Sequence, residues 1–327
     1  MKIGKISENV LKRSVLKQIK PNRTEVIKGA SVGSDCAFLH INNSEIAVAT
    51  GYVGIQDKNA MSHAIMRACN NIACGGGTTI SIQIQISLPE SFLETDLKMM
   101  MAEANQTAKL LNIDIIGGHT ETVKDIKLPI IAVTAIGTKT EDKEHIIPLH
   151  AGQEIIMTKW MGLSGTSSLA IENEEQLLTK YPTFFIKEAQ SYEKYYSIIP
   201  EAATAVKSGV SAMHDVSGGG VFGALWELAE NAGVGLIVSL KKIPVKQETI
   251  EICEFFDLNP YELRADGSLL AVTDDGDELI RKLKKQGISA SVIGKITDGN
   301  DRIVMNEDET RFLEPPRTDE LLKVLKE

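Results

Sequence analysis

The sequence predicts an α+β protein of two domains. Two observations carry that expectation. Alternating, isoleucine- and valine-rich stretches of strand type are interleaved with apolar residues at helical spacing along the chain, and the pattern breaks and begins again near residue 150. At 327 residues the chain also exceeds what one small core organises. We expect residues 1–150 and 151–327 to be the two domains.

In the first half, Val10, Leu11, Val15, Leu16 and Ile19 fall at helical spacing over residues 7–20, and Pro21 stops that helix. A Gly-containing turn at Val32-Gly-Ser-Asp35 enters an apolar strand ending at Ile41. Asn42-Asn43 turns the chain into a second strand, Glu45 to Thr50, which Gly51 is expected to end. A helix follows over 59–74, where Ala68, Ala73 and Gly75 to Gly77 imply close packing or close backbone approach. Thr78 to Leu88 alternates as a strand, Pro89-Glu90 breaks it, and Glu94 to Leu111 is a helix. Asp114 to Glu121 is expected as a strand running into a Gly117-Gly118 turn, and Leu128 to Gly137 as another strand.

The second half opens with a strand, Gly152 to Thr158, and a Gly/Ser loop from Lys159 leading into a helix by Ala170. Helices are expected near 173–180, 183–195, 200–207, 221–232, 247–256 and 277–285. Strands are expected at Val234 to Leu240, within Glu262 to Val272, and at Ser289 to Ile296. A charged tail closes with Pro315-Pro316 and a short amphipathic helix.

Composition narrows the function classes. Hydrophobic residues at 43% and charged residues at 24% describe an ordinary globular chain. A net charge of −9 argues against nucleic-acid and anionic-membrane partners, although a local nest of N–H groups can still take a small anion. Cys36, Cys69, Cys74 and Cys253 form no Cys-x-x-Cys pair and no zinc-finger spacing, which fits a reducing compartment. No signal-peptide core and no membrane-length apolar run is present, so a cytoplasmic protein is expected.

The stretch with the most chemical content is Ser211 to Leu225, where Asp215 precedes Gly218, Gly219, Gly220 and an amphipathic run. A glycine turn opening a helix presents N–H groups and a positive dipole end to an anion, and a nearby carboxylate suggests a shared cation. The plain alternative is a tight turn with Asp215 or Ser217 as helix cap, which the glycines alone favour. Three further glycine turns are expected, at Gly33, at Gly75 to Gly77, and at Gly117-Gly118 beside His119. His119 either contacts phosphate or acts as acid/base, or is a turn histidine bonded to backbone. Structural roles are expected for His214, for Lys159 as a solvated lysine, for Asp266 as an Asp-Gly turn, and for Cys36, Cys69 and Cys74 as small buried thiols.

The order of these turns, with Met213-His-Asp-Val216 and the ending Phe312-Leu-Glu-Pro-Pro-Arg317, resembles the AIR synthase (PurM-type) superfamily. It is most similar to the AIR-synthase-related, HypE-like branch. The resemblance spans essentially the whole chain. It implies a PurM-like fold whose N-terminal sheet forms a barrel with a second subunit, a C-terminal α/β domain, and ATP with Mg²⁺ in the cleft between them. It further implies phosphorylation of an oxygen on a small substrate. Carried over, Asp35 and Asp215 hold metal; Thr50, Asn71, Gly117, Gly118, Thr120, Gly218, Gly219 and Gly220 hold nucleotide; and His119 is catalytic. Ser34, Gly51 and Asn71 stand where the resemblance expects acids, and the chain lacks a C-terminal cysteine. Two readings therefore stay open: an ATP- and Mg²⁺-dependent homodimeric enzyme, and a catalytically silent homologue with weak or no nucleotide binding.

Overall fold

A computed structural model describes residues 3–20, 22–54, 58–139, 148–316 and 318–324. The expected helix stop at Pro21, Arg317 of the ending motif, and residues 325–327 lie outside the described residues. The chain forms two compact units. One comprises Pro21–Ala30 and Asp35–Lys143; the other comprises Met1–Lys20, Ser31–Ser34 and Glu144–Glu327.

The first helical segment starts with a single α-turn, α1 (Glu8–Val10), and continues as π-helix to Val15 and 3₁₀-helix to Gln18. By packing it belongs to the C-terminal unit.

The N-terminal unit is built on a six-stranded sheet: β1 (Val26–Lys28), β2 (Ala37–Ile41), β3 (Ser44–Val53), β4 (Gly77–Leu88), β5 (Asp114–Thr122) and β6 (Ile130–Lys139), in the order β1-β2-β3-β6-β4-β5. Two helices, α2 (Ala60–Cys74) and α3 (Glu94–Leu111), accompany it. Period-2 alternation decides which face they cover. Ala47, Ala49 and Val53 on β3, Ile82, Ile84 and Ile86 on β4, and Ile131, Val133 and Ala135 on β6 are buried. The opposite face keeps Tyr52 and Ile80 more than half exposed.

The C-terminal unit contains a seven-stranded sheet in the order β13-β12-β9-β11-β7-β10-β8. Its strands are β7 (Glu154–Thr158), β8 (Ala212–Val216), β9 (Gly235–Ser239), β10 (Ser268–Thr273), β11 (Ala290–Thr297), β12 (Arg302–Asn306) and β13 (Glu309–Phe312). Among the described strands of this sheet, β9 and β12 pair in parallel and the other pairs are antiparallel. Its helices are α4 (Leu163–Glu172), α5 (Glu174–Leu177), α6 (Thr183–Gln190), α7 (Ile199–Lys207), α8 (Gly220–Ala232), α9 (Gln247–Phe255) and α10 (Gly276–Lys285). Val221, Leu225 and Leu228 of α8 pack with Ile155, Met157, Leu270 and Val272. Ile156 and Ala271 face Leu279 and Leu283 of α10. Apolar cover on both faces explains why every residue of β10 is buried, reading as a continuous apolar run rather than an alternation. The fold is thus α+β, as expected. The sequence reading missed β8 and the β12–β13 hairpin.

Candidate functional site

In the N-terminal unit, two of the expected site residues meet. β2 pairs with β3 only as far as Ala37 opposite Val48, so β3 continues beyond its partner on that side. There α2 supplies donors: Arg67 Nη1 donates to Tyr52 O (2.8 Å), and Asn71 Nδ2 donates to Thr50 O (3.4 Å). Gly51, expected to end the strand, instead lies buried inside β3. A Cβ built there would stand 2.2 Å from Ala64 O and 2.7 Å from Ala68 N. The glycine is where α2 and β3 touch backbone to backbone, as the small residues of the region implied.

Gly117 and Gly118 likewise form no turn. They lie within β5, an edge strand parallel to β4, just after a bulge at Ile116. Gly118 has φ +152°, and a Cβ on it would fall 1.8 Å from Ile84 O, whereas Gly117 has open space. Extended pairing with β4 took the place of the turn that two adjacent glycines suggested. His119 and Thr120 follow on the same exposed strand, and His119 Nε2 lies 3.6 Å from Glu121 Oε2. Thr50, Thr134, Gln83 and Gly117 form one register row across the sheet. The Thr50–Asn71 pair is therefore level with the glycines of β5 but three strands away, roughly 14 Å at the usual strand spacing. Asp35 is half-buried, two residues ahead of β2.

In the C-terminal unit, Asp215 sits on the edge strand β8, 8% exposed, opposite Leu269 of β10. The ligand atoms of His214 and Asp215 lie within 4.8 Å of each other. The chain then turns through Ser217 and Gly218 into α8, with Gly219 at φ +89° and Gly220 at φ +63°. A Cβ on Gly220 would meet Tyr261 O at 2.5 Å. The expected glycine turn at a helix start is present, but several of its donors are engaged. Gly219 N–H donates to Asp319 Oδ2 (2.9 Å), Gly220 N–H to Ser217 O (3.1 Å) and Phe222 N–H to Tyr261 O (3.2 Å). Sequence reasoning missed Asp319. Its signal is a cap residue before Glu-Leu-Leu, and its Oδ1 does accept from Leu321 N–H at 3.0 Å.

His214 Nε2 lies 3.3 Å from Glu227 Oε2 on α8. Burial pushes the Glu227 carboxyl up, yet bonding to His214 and to the Lys5 ammonium outweighs it and holds the group at about 2. The first helical segment docks on the same helix. Trp226 Nε1 donates to Glu8 Oε2 (2.7 Å), Lys12 pairs with Glu8 (2.6 Å) and with Glu230, and Arg302 bonds Glu230 (2.6 Å) while lying 3.9 Å over the Trp226 ring.

Lys159 is not the solvated lysine expected. At 6% exposed, its Nζ donates to the carbonyls of Tyr195, Ser197 and Gly267 at 2.7–2.8 Å and lies 2.5 Å from Glu201 Oε1. Burial lowers its pKa, against which Glu201 acts. Asp266 is buried, accepting from Ser164 Oγ at 2.6 Å while its own N–H donates back to Ser164 Oγ. All four cysteines are free and buried. Burial raises Cys36 and Cys253 to about 12 and Cys69 to about 11, which disfavours the nucleophilic thiolate. No helix among the described residues is long and apolar enough to cross a membrane.

Comparison with known proteins adds to this geometry. Residues 33–138 match the N-terminal domain, and residues 150–306 the C-terminal domain, of AIR synthase related proteins. A putative hydrogenase expression/formation protein of Methanocaldococcus jannaschii is 23% identical over 312 residues, covering 92% of this chain and 91% of its own. A carbamoyl dehydratase HypE of Cupriavidus necator is 25% identical over 236 residues, 70% of this chain and 65% of its own. Among solved structures, that of a HypE–HypF complex is similar at TM-score 0.74 and 18% identity, covering 94% of this chain and 99% of that one. HypE in complex with ATP is similar at TM-score 0.72 and 14% identity, with 96% of each covered.

Proposed function

The chain belongs to the AIR synthase related family, in its HypE-like branch, and from that premise we propose that it binds ATP with Mg²⁺ and transfers a phosphoryl group to an oxygen of a small acceptor. One observation carries the reading: a buried carboxylate, Asp215, is held near the end of a strand, three residues before Gly218 of the glycine turn that opens a 13-residue helix. A carboxylate beside a positive helix end suits a cation and a phosphate together. HypE with bound ATP supports the same reading.

Asp35 and Asp215 are the oxygens we assign to Mg²⁺, a hard cation that takes one or two carboxylates alongside phosphate oxygens. When bound, the ion neutralises charge on the triphosphate. Thr50, Asn71, Gly117, Gly118, Thr120 and Gly218 to Gly220 are assigned to nucleotide. The Asn71–Thr50 bond would fix one polar pair, and the exposed β5 would offer the other. His119, 64% exposed, would take a proton from the acceptor and release it to solvent.

A second reading, a catalytically silent homologue, is favoured by Gly51. The resemblance expects an acid there, and the Ala64 carbonyl leaves no room for one. Calorimetry with AMP-PCP and Mg²⁺ separates the two. The enzyme reading expects metal-dependent binding that Asp215→Ala abolishes and Asn71→Asp strengthens; no heat at millimolar nucleotide establishes the silent one.

Residues 1–150 and 151–327 are taken as the two functional domains, and the protein as a cytoplasmic homodimer. The uncovered sheet face, with Tyr52 54% and Ile80 53% exposed, supports self-association through the N-terminal domain. Light scattering that returns a monomer at all concentrations refutes the dimer.

A further inference from the structure

His214 and Asp215 are neighbours on β8, and both are buried, at 4% and 8% exposed. β8 is an edge strand paired with β10, His214 opposite Leu270 and Asp215 opposite Leu269. One ring nitrogen and one carboxylate oxygen of the two lie within 4.8 Å of each other. Two donors on one divalent ion, each about 2.1 Å from it, stand at most about 4 Å apart, so the observed span is close to that of a shared ion. The ring is already oriented. Its Nε2 lies 3.3 Å from Glu227 Oε2, and an ionised carboxylate only accepts, so Nε2 carries the proton and Nδ1 the lone pair. Glu227 is itself held in place: its side chain is 12% exposed, and its other oxygen, Oε1, bonds the Lys5 ammonium.

We propose that His214 is a nitrogen ligand of the cation at Asp215, that Glu227 is the positioning residue that orients its ring, and that this position therefore takes a transition-metal ion such as Mn²⁺ or Co²⁺ in preference to Mg²⁺. Imidazole is a ligand of transition ions, whereas Mg²⁺ keeps to oxygen. A carboxylate that accepts the far N–H of a ligating histidine fixes its tautomer and raises its basicity. Glu227 fills that role from α8, and Lys5 of the first helical segment keeps its carboxylate from turning away. The bond to Glu227 alone would also suit a purely structural histidine. The nearby Asp215 oxygen is what makes the ring a ligand.

This rests on the reading of Asp215 as a metal carboxylate, and the experiment tells the two apart. Mn²⁺ is titrated into the full chain without nucleotide, and the bound ion is examined by electron spin-echo envelope modulation, which detects a directly bonded nitrogen. A nitrogen coupling is expected in the unaltered protein, and it should change character when the chain is made with nitrogen-15 histidine. That arm needs no substitution, so it stands even where a variant folds poorly. His214→Gln should remove the coupling and weaken Mn²⁺ about tenfold, while Mg²⁺ affinity stays within about twofold. Glu227→Leu, which removes the acceptor, should also weaken Mn²⁺ about tenfold, and Glu227→Gln, which keeps an acceptor oxygen, should recover most of that loss. A merely structural Glu227 would lower the melting temperature and leave Mn²⁺ affinity unchanged in both variants, which overturns its positioning role. Mn²⁺ that binds without a nitrogen coupling, and is released by Asp215→Ala, overturns the inference and leaves the metal reading of Asp215 intact. No Mn²⁺ bound at millimolar concentration overturns both.

Discussion

Gly51 and Ala64 touch backbone to backbone: a Cβ on Gly51 would lie 2.2 Å from the Ala64 carbonyl oxygen. Ala64 is on α2 and fully buried, so neither element has a free side to move towards. Gly51→Ala should cost about 3 kcal/mol, the upper range for overpacking a closed core, and Gly51→Asp more, since it also buries a charge. Urea denaturation of both variants measures this. A Gly51→Asp protein as stable as the original would show that α2 can lift away from β3. If the expected cost is measured, the acid missing at this position is not one that a single substitution restores.

Lys159 is a buried charge held by three carbonyls and a carboxylate in the C-terminal unit. Its three carbonyl acceptors come from the segment after α6 and from the turn before β10, so one ammonium ties two loops together. Lys159→Met leaves Glu201, 1% exposed, without its counter-charge and three carbonyls without a donor. A loss of about 3–5 kcal/mol is expected. Lys159→Met/Glu201→Gln should recover part of it, because the uncompensated charge is gone. Thermal unfolding of the four-member cycle checks both statements; a double variant worse than the single would contradict them.

Much of the fold was legible because the apolar period is strong where one face is covered. β4, with Ile82, Ile84 and Ile86 buried between exposed Gln83 and Gln85, reads unambiguously. The glycine turns were less legible for a physical reason. A glycine signals either a turn or a close backbone approach, and the sequence alone does not distinguish them. Gly219 and Gly220 turn; Gly51 and Gly118 lie in strands against another backbone. β8 was hidden because Met213-His-Asp215 places two polar residues in a short strand, both buried by contacts with distant parts of the chain. Lys159 misled in the same way. Its burial depends on Tyr195, Ser197 and Gly267, none of them near it in sequence.

Docking of the first helical segment on α8 should fail in acid. Glu227 and Glu230 are both held at about 2, below the ordinary 4.5: Glu227 by His214 and Lys5 against its burial, Glu230 by its bonds to Lys12 and Arg302. Depressed carboxyl pKa values contribute stability that is full above about pH 4.5 and is lost as pH falls through about 2. Trp226, bonded to Glu8 and stacked with Arg302, reports the event. Its fluorescence should shift between those limits, with hydrogen exchange of residues 8–18 rising in parallel. Lys12→Ala should move the transition to higher pH by weakening the hold on Glu230. A transition that Lys12→Ala leaves in place would assign the acid response to other groups.

Gly117 and Gly118 allow conformation and ligand contact to be separated at adjacent positions. Nothing lies within 4 Å of a Cβ on Gly117, while a Cβ on Gly118 would overlap the Ile84 carbonyl at 1.8 Å. Gly118→Ala should therefore break the pairing of β5 with β4, which hydrogen exchange at Ile84 to Ile86 would show as lost protection. Gly117→Ala should leave stability within about 1 kcal/mol, the ordinary cost of a surface change, because β5 is exposed there. If Gly117 is small so that a phosphate can approach the backbone, Gly117→Ala weakens Mg²⁺–AMP-PCP binding with the fold unchanged. Unaltered nucleotide affinity in that variant would confine the role of the glycine pair to the strand, and the fault would then lie in assigning β5 to the nucleotide.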